Sequence, residues 1–264
     1  MLGVLGIVLV FAALPRLLFV REVLVEWDRL EPDQRQSNHI AYLDPDSDHY
    51  LRLANRILDG EPLKAVDLGR PPGYPTFLAL LGARPDRVLF VQALLGTFVV
   101  LCVTALTWAC TRKAWLGLAA GLLSALSPTG IGIVALIMSD LLFATLFVLG
   151  ILLLLLAARQ RRSGLLVGAG VVFALATLTK PILLLWSPVA LLVFWLFSGR
   201  RLDFVRPTTL ALFVGLQLAP TLLWSGANYA RYGTFTYSII GPLTVRTYWG
   251  ARTEAWIEAG GGAQ

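Results

Sequence analysis

The chain has 264 residues, of which 57% are hydrophobic and 14% are charged, and its mean hydropathy is +0.72. A soluble globular domain carries about 25% charged residues, so this composition excludes that class and predicts a polytopic membrane protein. The formal charge of +6 does not indicate nucleic-acid binding, because the basic residues fall mainly at the ends of apolar runs, where the positive-inside rule places them.

The first predicted element is an apolar run over residues 1–20, which matches the roughly 20 residues that a helix needs to cross a bilayer. It lacks a basic start and has Pro15-Arg16 where a signal peptide needs small residues before its cleavage site. We therefore predict a membrane span. Residues 21–87 then form a charged loop, in which residues 74–83 are an apolar stretch of re-entrant or interfacial length.

This loop contains a predicted amphipathic helix that lies on the membrane surface. Its apolar side chains recur at helical spacing, and they are Tyr50, Leu51, Leu53, Ala54, Ile57 and Leu58. Asp46 or Ser47 can act as its N-cap, and Gly60 is expected to end it. A cap needs only one side-chain oxygen, so capping and catalysis are both open for Asp46.

Three short basic clusters set the predicted topology. Short basic connections are cytoplasmic, so an even number of spans must lie between successive clusters. The clusters are Arg112 with Lys113, Arg159 with Arg161 and Arg162, and Arg200 with Arg201 and Arg206. Residues 114–158 must therefore fold as a pair of spans that turns near residues 127–140. Residues 165–197 form a second pair that turns at Lys180-Pro181, because proline breaks a helix and lysine needs water or a partner.

Single spans at residues 88–110 and 208–224 complete the count. The predicted fold is an all-α polytopic membrane bundle of about seven transmembrane helices, with an amphipathic juxtamembrane helix in its first outer loop. We expect the N-terminus to be cytoplasmic and the loop at residues 21–87 to lie on the outer face. Residues 1–225 form the predicted transmembrane module, and residues 226–264 form a polar and aromatic outer tail.

An acidic triplet opens the amphipathic helix and invites a calcium interpretation. Asp44, Asp46 and Asp48 alternate as at the start of an EF-hand loop. However, His49 stands where that loop needs glycine, and Asn55 stands where it needs a bidentate glutamate. The EF-hand interpretation therefore fails, no metal-ligand set is predicted, and only a looser divalent-cation site stays open.

Charged residues at the outer ends of the predicted spans are further candidates for chemistry. Arg70 precedes the proline-rich turn at residues 71–75, where Gly73 permits a turn. Its planar guanidinium suits a phosphate, although snorkelling at the interface is equally open. Asp140, at the start of a span, can cap that helix. Lys180 needs water, an anion or a carboxylate, and a lipid phosphate is such an anion.

Taken in order, these features resemble the C-type (GT-C) membrane glycosyltransferases. The features are a first span, an outer loop in which Asp46 precedes Tyr50 by four residues, an amphipathic helix, the turn RPPGYP, and the runs LIMSDLLF and ALATLTKP. The branch resembled most is that of the protein O-mannosyltransferases and the aminoarabinose transferase of lipid A. The resemblance runs from Met1 to about Tyr237 and corresponds to the N-terminal seven-span module of the family.

The resemblance implies an enzyme of the plasma (inner) membrane, in contact with membrane lipids. It would move a sugar from a polyprenyl-phosphate carrier to a hydroxyl of a lipid, glycan or protein acceptor on the outer face, usually with inversion. No cofactor is implied. The implied catalytic residues are Asp46 as general base, Asp48 as the alternative base and Asp140 as a positioning group. The implied donor-phosphate ligands are Arg70, His49 and Lys180, and the implied substrate-binding residues are Tyr50 and Tyr74.

Members of this family usually continue into further spans. We therefore expect this chain to be a truncated product, one half of a split enzyme completed by a partner chain, or a minimal form. A non-catalytic subunit, or a carrier or flippase of lipid-linked sugars, stays the alternative function. A transporter is expected to place polar residues near mid-membrane. Asp140 and Lys180 are predicted at outer span ends instead, and this favours surface chemistry.

Overall fold

Helices and short connections make up the part of the chain that the computed structural model describes, which is residues 2–29, 45–61, 70–183, 186–199 and 205–238. The helices in chain order are α1 (Leu2–Arg29), α2 (Pro45–Leu58), α3 (Gly73–Leu80), α4 (Pro85–Thr111), α5 (Ala114–Ala125), α6 (Pro128–Gly132), α7 (Ser139–Gln160), α8 (Ser163–Thr179), α9 (Trp186–Phe197) and α10 (Pro207–Tyr232). The predicted all-α membrane bundle is confirmed.

Four of these helices, α1, α4, α7 and α10, are long and apolar enough to cross a membrane. Helix α5 and the stretch Pro128–Ala135 form a pair bent by 62°, which counts as a fifth span if the two are one broken crossing. Helices α8 and α9 are apolar but shorter, at 17 and 12 residues. Helices thus occupy every predicted span position, but four or five rather than about seven have the length of a crossing among the described residues.

The predicted turn at Lys180-Pro181 is confirmed. Helix α8 ends at Thr179, and Lys180 is extended with φ −142° and ψ 133°. A 3-10 turn over Pro181–Leu183 follows. The physical reason is local, because a residue before proline is pushed out of the helical region and proline itself has no N–H to donate.

The predicted turn near residues 127–140 is a helix break followed by an irregular segment. Ser127 accepts a hydrogen bond at its Oγ from the N–H of Gly130 at 3.3 Å and so caps α6. A 3-10 turn over Ile133–Ala135 follows, and α7 begins at Ser139. This break places the start of α7 beside α2 and α3.

A buried arginine supports this break from the side of α1. Arg16 lies halfway along α1 and is only 2% exposed. Its Nη1 donates to the carbonyl of Ala125 at 3.0 Å, and its Nη2 donates to the carbonyl of Ser124 at 3.3 Å. Carbonyls at a helix end lack an intrahelical N–H and carry partial negative charge. The guanidinium therefore caps the end of α5, a role that was not predicted from the sequence.

Helix α2 is the predicted amphipathic helix, and its apolar face packs against protein. Tyr50, Leu53 and Ala54 are 4%, 3% and 0% exposed, and Tyr50 and Ala54 share a core cluster with side chains of α3. The polar face carries an exposed ion pair of 3.1 Å between Arg52 and Asp48. The helix is confirmed, whereas its position on a membrane surface stays a prediction.

The ends of α2 are confirmed in part. Helix α2 begins at Pro45, so Asp46 and Ser47 lie inside its first turn and the predicted N-cap is wrong. Proline is favoured at the first helical position because the N–H that it lacks would have no partner there. Gly60, which was predicted to end the helix, follows it with a φ of +69°.

Gly73 has a different role from the turn that was predicted for it. It opens α3 and is not among the glycines with positive φ. A Cβ at this position would lie 2.5 Å from the carbonyl oxygen of Leu178, near the end of α8. The absence of a side chain lets α3 pack closely on α8, which brings the segment of Arg70 towards Lys180.

The arginine-rich turn between α7 and α8 and the pair of Asp140 and Lys180 lie at opposite ends of these two helices. Asp140 lies in the first turn of α7 and Arg159 in its last turn, and Lys180 directly follows the end of α8. The Nη2 of Arg159 donates to the carbonyl of Cys110 at 3.3 Å, so the basic turn between α7 and α8 lies beside the end of α4. Asp140 and Lys180 meet at the other end.

Candidate active site

A cavity of about 320 Å³ lies where the first turn of α2, the start of α7 and the end of α8 meet. Four charged side chains line it, and they are Asp46, Arg70, Asp140 and Lys180. Tyr50, Ser139 and Thr179 add hydroxyl groups to its wall. The cavity thus brings together, from distant parts of the sequence, five residues that were each predicted as site residues: the four charged ones and Tyr50.

The first wall of the cavity is an ion pair between Asp46 and Arg70. Asp46 and Tyr50 are four residues apart on α2 and therefore lie on one helix face. Arg70 contacts both, because its Nη2 donates to Asp46 and its Nη1 donates to the Tyr50 hydroxyl at 2.7 Å. The Arg70 side chain is 17% exposed and that of Asp46 is 41% exposed. The guanidinium is thus embedded in the wall, whereas the carboxylate remains accessible.

The second wall is an ion pair of 2.7 Å between Lys180 Nζ and Asp140 Oδ1. The predicted capping role of Asp140 is wrong, because Met138 is the N-cap of α7 and makes no side-chain cap. Asp140 lies in the first turn, where the positive end of the helix dipole still favours its charge. Its carboxylate instead pairs with Lys180. The partner that the sequence predicted for Lys180 is therefore a carboxylate of the protein itself.

Tyr50 connects the two walls. Its hydroxyl accepts from Arg70 and donates to Ser139 Oγ at 3.1 Å, and Ser139 is adjacent to Asp140 in the chain. Because a hydroxyl can donate one hydrogen bond and accept others, Tyr50 can serve both partners at once. The predicted site residue Tyr50 therefore lines the cavity and orients Arg70.

Two other predicted residues of α2 do not line the cavity. The Asp48 side chain is 63% exposed and pairs with Arg52 on the polar face. His49 is partly buried beside Tyr50, with ring centroids 6.4 Å apart. Residues two positions apart on a helix point to different sides. The geometry therefore favours Asp46 over Asp48 as the carboxylate available to a ligand.

Tyr74, predicted as a substrate-binding residue, lies behind the cavity and is 0% exposed. Its ring packs edge-on against Tyr50, with centroids 4.8 Å apart. Its hydroxyl donates to Gln92 Oε1 at 2.8 Å. Burial raises the pKa of Tyr74 well above its usual value, so the hydroxyl remains protonated and stays a donor. Tyr74 supports Tyr50 from within the protein core.

Gln92 is a supporting residue that was not predicted from the sequence. It lies on α4, is 1% exposed, and donates through Nε2 to the carbonyls of Val134 at 2.8 Å and Leu136 at 2.9 Å. These carbonyls belong to the irregular segment before α7, where the carbonyl of Leu136 also accepts from the N–H of Met138 at 2.8 Å. The only signal in the sequence was a glutamine within an apolar run, which does not reveal its partners.

We expect Gln92→Leu to destabilise the protein by about 2 kcal/mol, because it removes the hydrogen bonds to the carbonyls of Val134 and Leu136 and takes away the acceptor of the Tyr74 hydroxyl. Gln217→Leu is a matched control. Gln217 is also buried, but among the described residues its Oε1 accepts from Ser187 and its Nε2 meets no acceptor. Thermal unfolding in detergent measures both variants. Equal losses of stability would contradict the supporting role of Gln92.

The chain returns to the cavity end after α10, which continues beyond residue 225 to Tyr232. Tyr237 is 6% exposed and donates to the carbonyl of Thr177 at 2.5 Å, within the last turn of α8. This contact holds the end of α8 next to Lys180. The remaining residues of the predicted outer tail, 239–264, lie outside the described residues.

Within the described ranges, no group of three or more His, Cys, Asp or Glu side chains is arranged to hold a metal ion. Asp44, the first member of the acidic triplet, lies outside those ranges. The looser divalent-cation site stays a prediction. The chemistry that the described cavity offers is that of two carboxylates, a guanidinium and an ammonium group.

The fold and the cavity together define an integral membrane protein with an ionic site at one end of its helical bundle. A family profile described as dolichyl-phosphate-mannose-protein mannosyltransferase matches residues 74–224. This match covers more than half of the 264 residues, and the chain belongs to this family. No curated protein and no solved structure matches the chain.

Membership confirms the resemblance to GT-C glycosyltransferases. The chain is a membrane glycosyltransferase of this type, and the donor of its family is a lipid-linked sugar. The matched residues include Asp140 and Lys180 but begin after Asp46 and Arg70. The family match therefore includes the wall formed by Asp140 and Lys180. The assignment of Asp46 and Arg70 to the site depends on the geometry alone.

Proposed function

We propose that this chain moves a sugar from a polyprenyl-phosphate carrier to an acceptor hydroxyl, with Asp46 as general base and inversion at the anomeric carbon. The observation that carries this proposal is the cavity, in which an accessible carboxylate lies beside the Arg70 guanidinium and across from Lys180. A base for the acceptor proton and cations for the phosphate are the groups that such a transfer needs.

The proton and charge movements follow from this arrangement. Asp46 takes the proton of the acceptor hydroxyl, whose oxygen forms a bond to the anomeric carbon. The bond between that carbon and the phosphate oxygen breaks, and its electron pair stays on the phosphate. Arg70 and Lys180 stabilise the charge that develops there, since charge-assisted hydrogen bonds strengthen with the charge of the acceptor. Attack opposite the leaving phosphate gives inversion.

Reaction on the outer face of the plasma membrane is part of the proposal. The arginine-rich turn between α7 and α8 lies at one end of the bundle and the cavity lies at the other. The positive-inside rule assigns the basic end to the cytoplasm, and a cytoplasmic N-terminus is part of the same proposal. Lipid-linked sugars rather than soluble cytoplasmic nucleotide sugars are then the donors within reach.

The alternative of a non-catalytic subunit or a carrier has less support. Both ion pairs of the cavity lie at helix ends rather than along the middle of the spans. The buried cation within a span, Arg16, is held by backbone carbonyls and does not line the cavity. A transport path would need polar groups that line a passage near mid-membrane.

The proposal is tested by reconstituting the chain with a polyprenyl-phosphate sugar that carries a labelled sugar. Lipid, glycan and protein acceptors are offered in separate reactions. We expect transfer to one of these acceptor classes, with inverted stereochemistry in the product. Tight donor binding without transfer to any of them would favour the non-catalytic alternative.

Arg70→Ala should raise the KM for the donor by about tenfold or more and change the KM for the acceptor little, because the guanidinium is proposed to bind the phosphate and a hydrogen bond to a charged group contributes about 1.5–3 kcal/mol. Arg52→Ala is the matched control, since it removes an arginine whose side chain is 64% exposed on the polar face of α2. Steady-state kinetics with each substrate varied measures the effect. An unchanged KM for the donor in Arg70→Ala would count against the phosphate role.

A further inference from the structure

Both cations of the cavity are already paired with carboxylates. Arg70 is held by Asp46, and Lys180 is held by Asp140. Each cation has further N–H groups that a phosphate can reach, so a phosphate that enters the cavity shares the cation with its carboxylate. The strength with which the site holds a phosphate then depends on the charge state of the carboxylate beside each cation.

The contacts of Arg70 divide its guanidinium into a fixed part and an exchangeable part. Its Nη1 donates at 2.7 Å to Tyr50, and Tyr50 is itself fixed by Ser139 at 3.1 Å and by the buried ring of Tyr74. Its Nη2 donates to Asp46, whose side chain is 41% exposed. Anchoring at Nη1 keeps the planar group in place while Nη2 changes partner.

Charge moves between the two partners of Nη2 during the proposed transfer. The donor phosphodiester carries a single negative charge, and the leaving polyprenyl phosphate gains another as the bond to the sugar breaks. Asp46 loses its negative charge in the same reaction, because it takes the acceptor proton. Asp46, which holds Arg70 at the start, is therefore neutralised while the leaving phosphate becomes more negative.

We propose that Arg70 couples the two halves of the reaction by exchanging Asp46 for the leaving phosphate. The inference rests on the proposed function. In the resting site the carboxylate of Asp46 holds Nη2. As Asp46 takes the proton, Nη2 turns to the phosphate oxygen that receives the electron pair of the broken bond. Proton removal from the acceptor and departure of the phosphate are thereby linked through one guanidinium.

The test measures binding of polyprenyl phosphate, without a sugar, to the full chain in nanodiscs of zwitterionic lipid. Asp46→Asn imitates the protonated carboxylate, because asparagine has the same shape without the charge. We expect this variant to bind polyprenyl phosphate about fivefold more tightly than the wild type, which is the size of effect that a partly exposed ion pair allows. The combined variant Asp46→Asn with Arg70→Ala should bind no more tightly than Arg70→Ala alone.

Asp48→Asn is the matched control, since it removes the same charge from the same helix, outside the cavity and two residues away. We expect it to change the affinity less than twofold. If Asp48→Asn increased the affinity for polyprenyl phosphate as much as Asp46→Asn does, the exchange would be overturned. The increase would then be explained by the change in net charge alone. A gain that persists without Arg70 would also overturn it, as would equal or weaker binding by Asp46→Asn.

Failure of this inference and failure of the proposed function give different results. A wild-type chain that transfers no sugar to any acceptor overturns the proposed function. A chain that transfers sugar, and whose Asp46→Asn variant shows no gain in affinity, overturns the exchange alone.

Discussion

Asp46→Asn should lower the rate of sugar transfer by a factor of about 10² to 10⁴, which is the range that a positioned general base contributes. Asparagine retains the shape of the side chain but cannot take the acceptor proton. The variant should remain folded and membrane-inserted, because the Asp46 side chain is 41% exposed and does not cap α2. Transfer of labelled sugar from a polyprenyl-phosphate donor measures the effect, and thermal unfolding checks the fold.

Asp48→Asn separates this assignment from its alternative. The Asp48 side chain points away from the cavity and pairs with Arg52 at 3.1 Å, so its loss should leave transfer nearly unchanged. Full activity in Asp46→Asn together with loss in Asp48→Asn would move the base by two residues. Full activity in both variants would show that neither Asp46 nor Asp48 of α2 is the general base.

Gly73→Ala should destabilise the protein by about 1–3 kcal/mol, as expected for overpacking in a tightly packed interior. The added Cβ would lie 2.5 Å from the carbonyl oxygen of Leu178. This oxygen belongs to the backbone, so it cannot move away by a change of side-chain rotamer. Helix α3 must then shift away from α8, which moves the segment of Arg70 away from Lys180. A shift of this kind can also lower transfer about 10²-fold.

Gly164→Ala is the control for this prediction. Gly164 lies in the first turn of α8, and nothing stands within 4 Å of a Cβ built there. Because alanine favours a helix by about 1 kcal/mol over glycine, this variant should be neutral or slightly more stable. Thermal unfolding and transfer assays on both variants measure the difference. Unchanged stability and activity in Gly73→Ala would show that the close contact of α3 with α8 is not required.

The helix positions could be predicted because they depend on local sequence. Lys180-Pro181 ends α8 through the covalent geometry of proline, and the basic clusters mark the connections between spans. The face of α2 was also readable, since Asp46 and Tyr50 are about one helical turn apart whereas Asp48 lies on another side. Helical spacing alone places Asp46 and Asp48 on different faces of α2, and the contacts of Arg70 then show which face meets the cavity.

The contacts that build the cavity could not be predicted in the same way. Asp140 pairs with Lys180 across 40 positions of sequence. Taken alone, Asp140 is explained equally well as a helix cap, and Lys180 as an ordinary lysine at the membrane interface. Gly73 resembled a turn glycine because prolines stand near it in the sequence. Glycine is required there because Leu178, on another helix, leaves no room for a Cβ. The number of crossings stays a prediction, because charge parity counts changes of side, whereas length and composition qualify four or five of the described helices as crossings.

The capping of α5 by Arg16 has a consequence for how the protein is made. An arginine at the centre of a spanning helix raises the free energy of membrane insertion by about 2.5–3.5 kcal/mol on translocon scales. Its acceptor at Ala125 lies 109 residues further along the chain, so α1 must leave the ribosome well before its partner exists. The arrival of α5 therefore adds two acceptors for Arg16 and stabilises the inserted first helix, so that membrane assembly of the two helices is coupled.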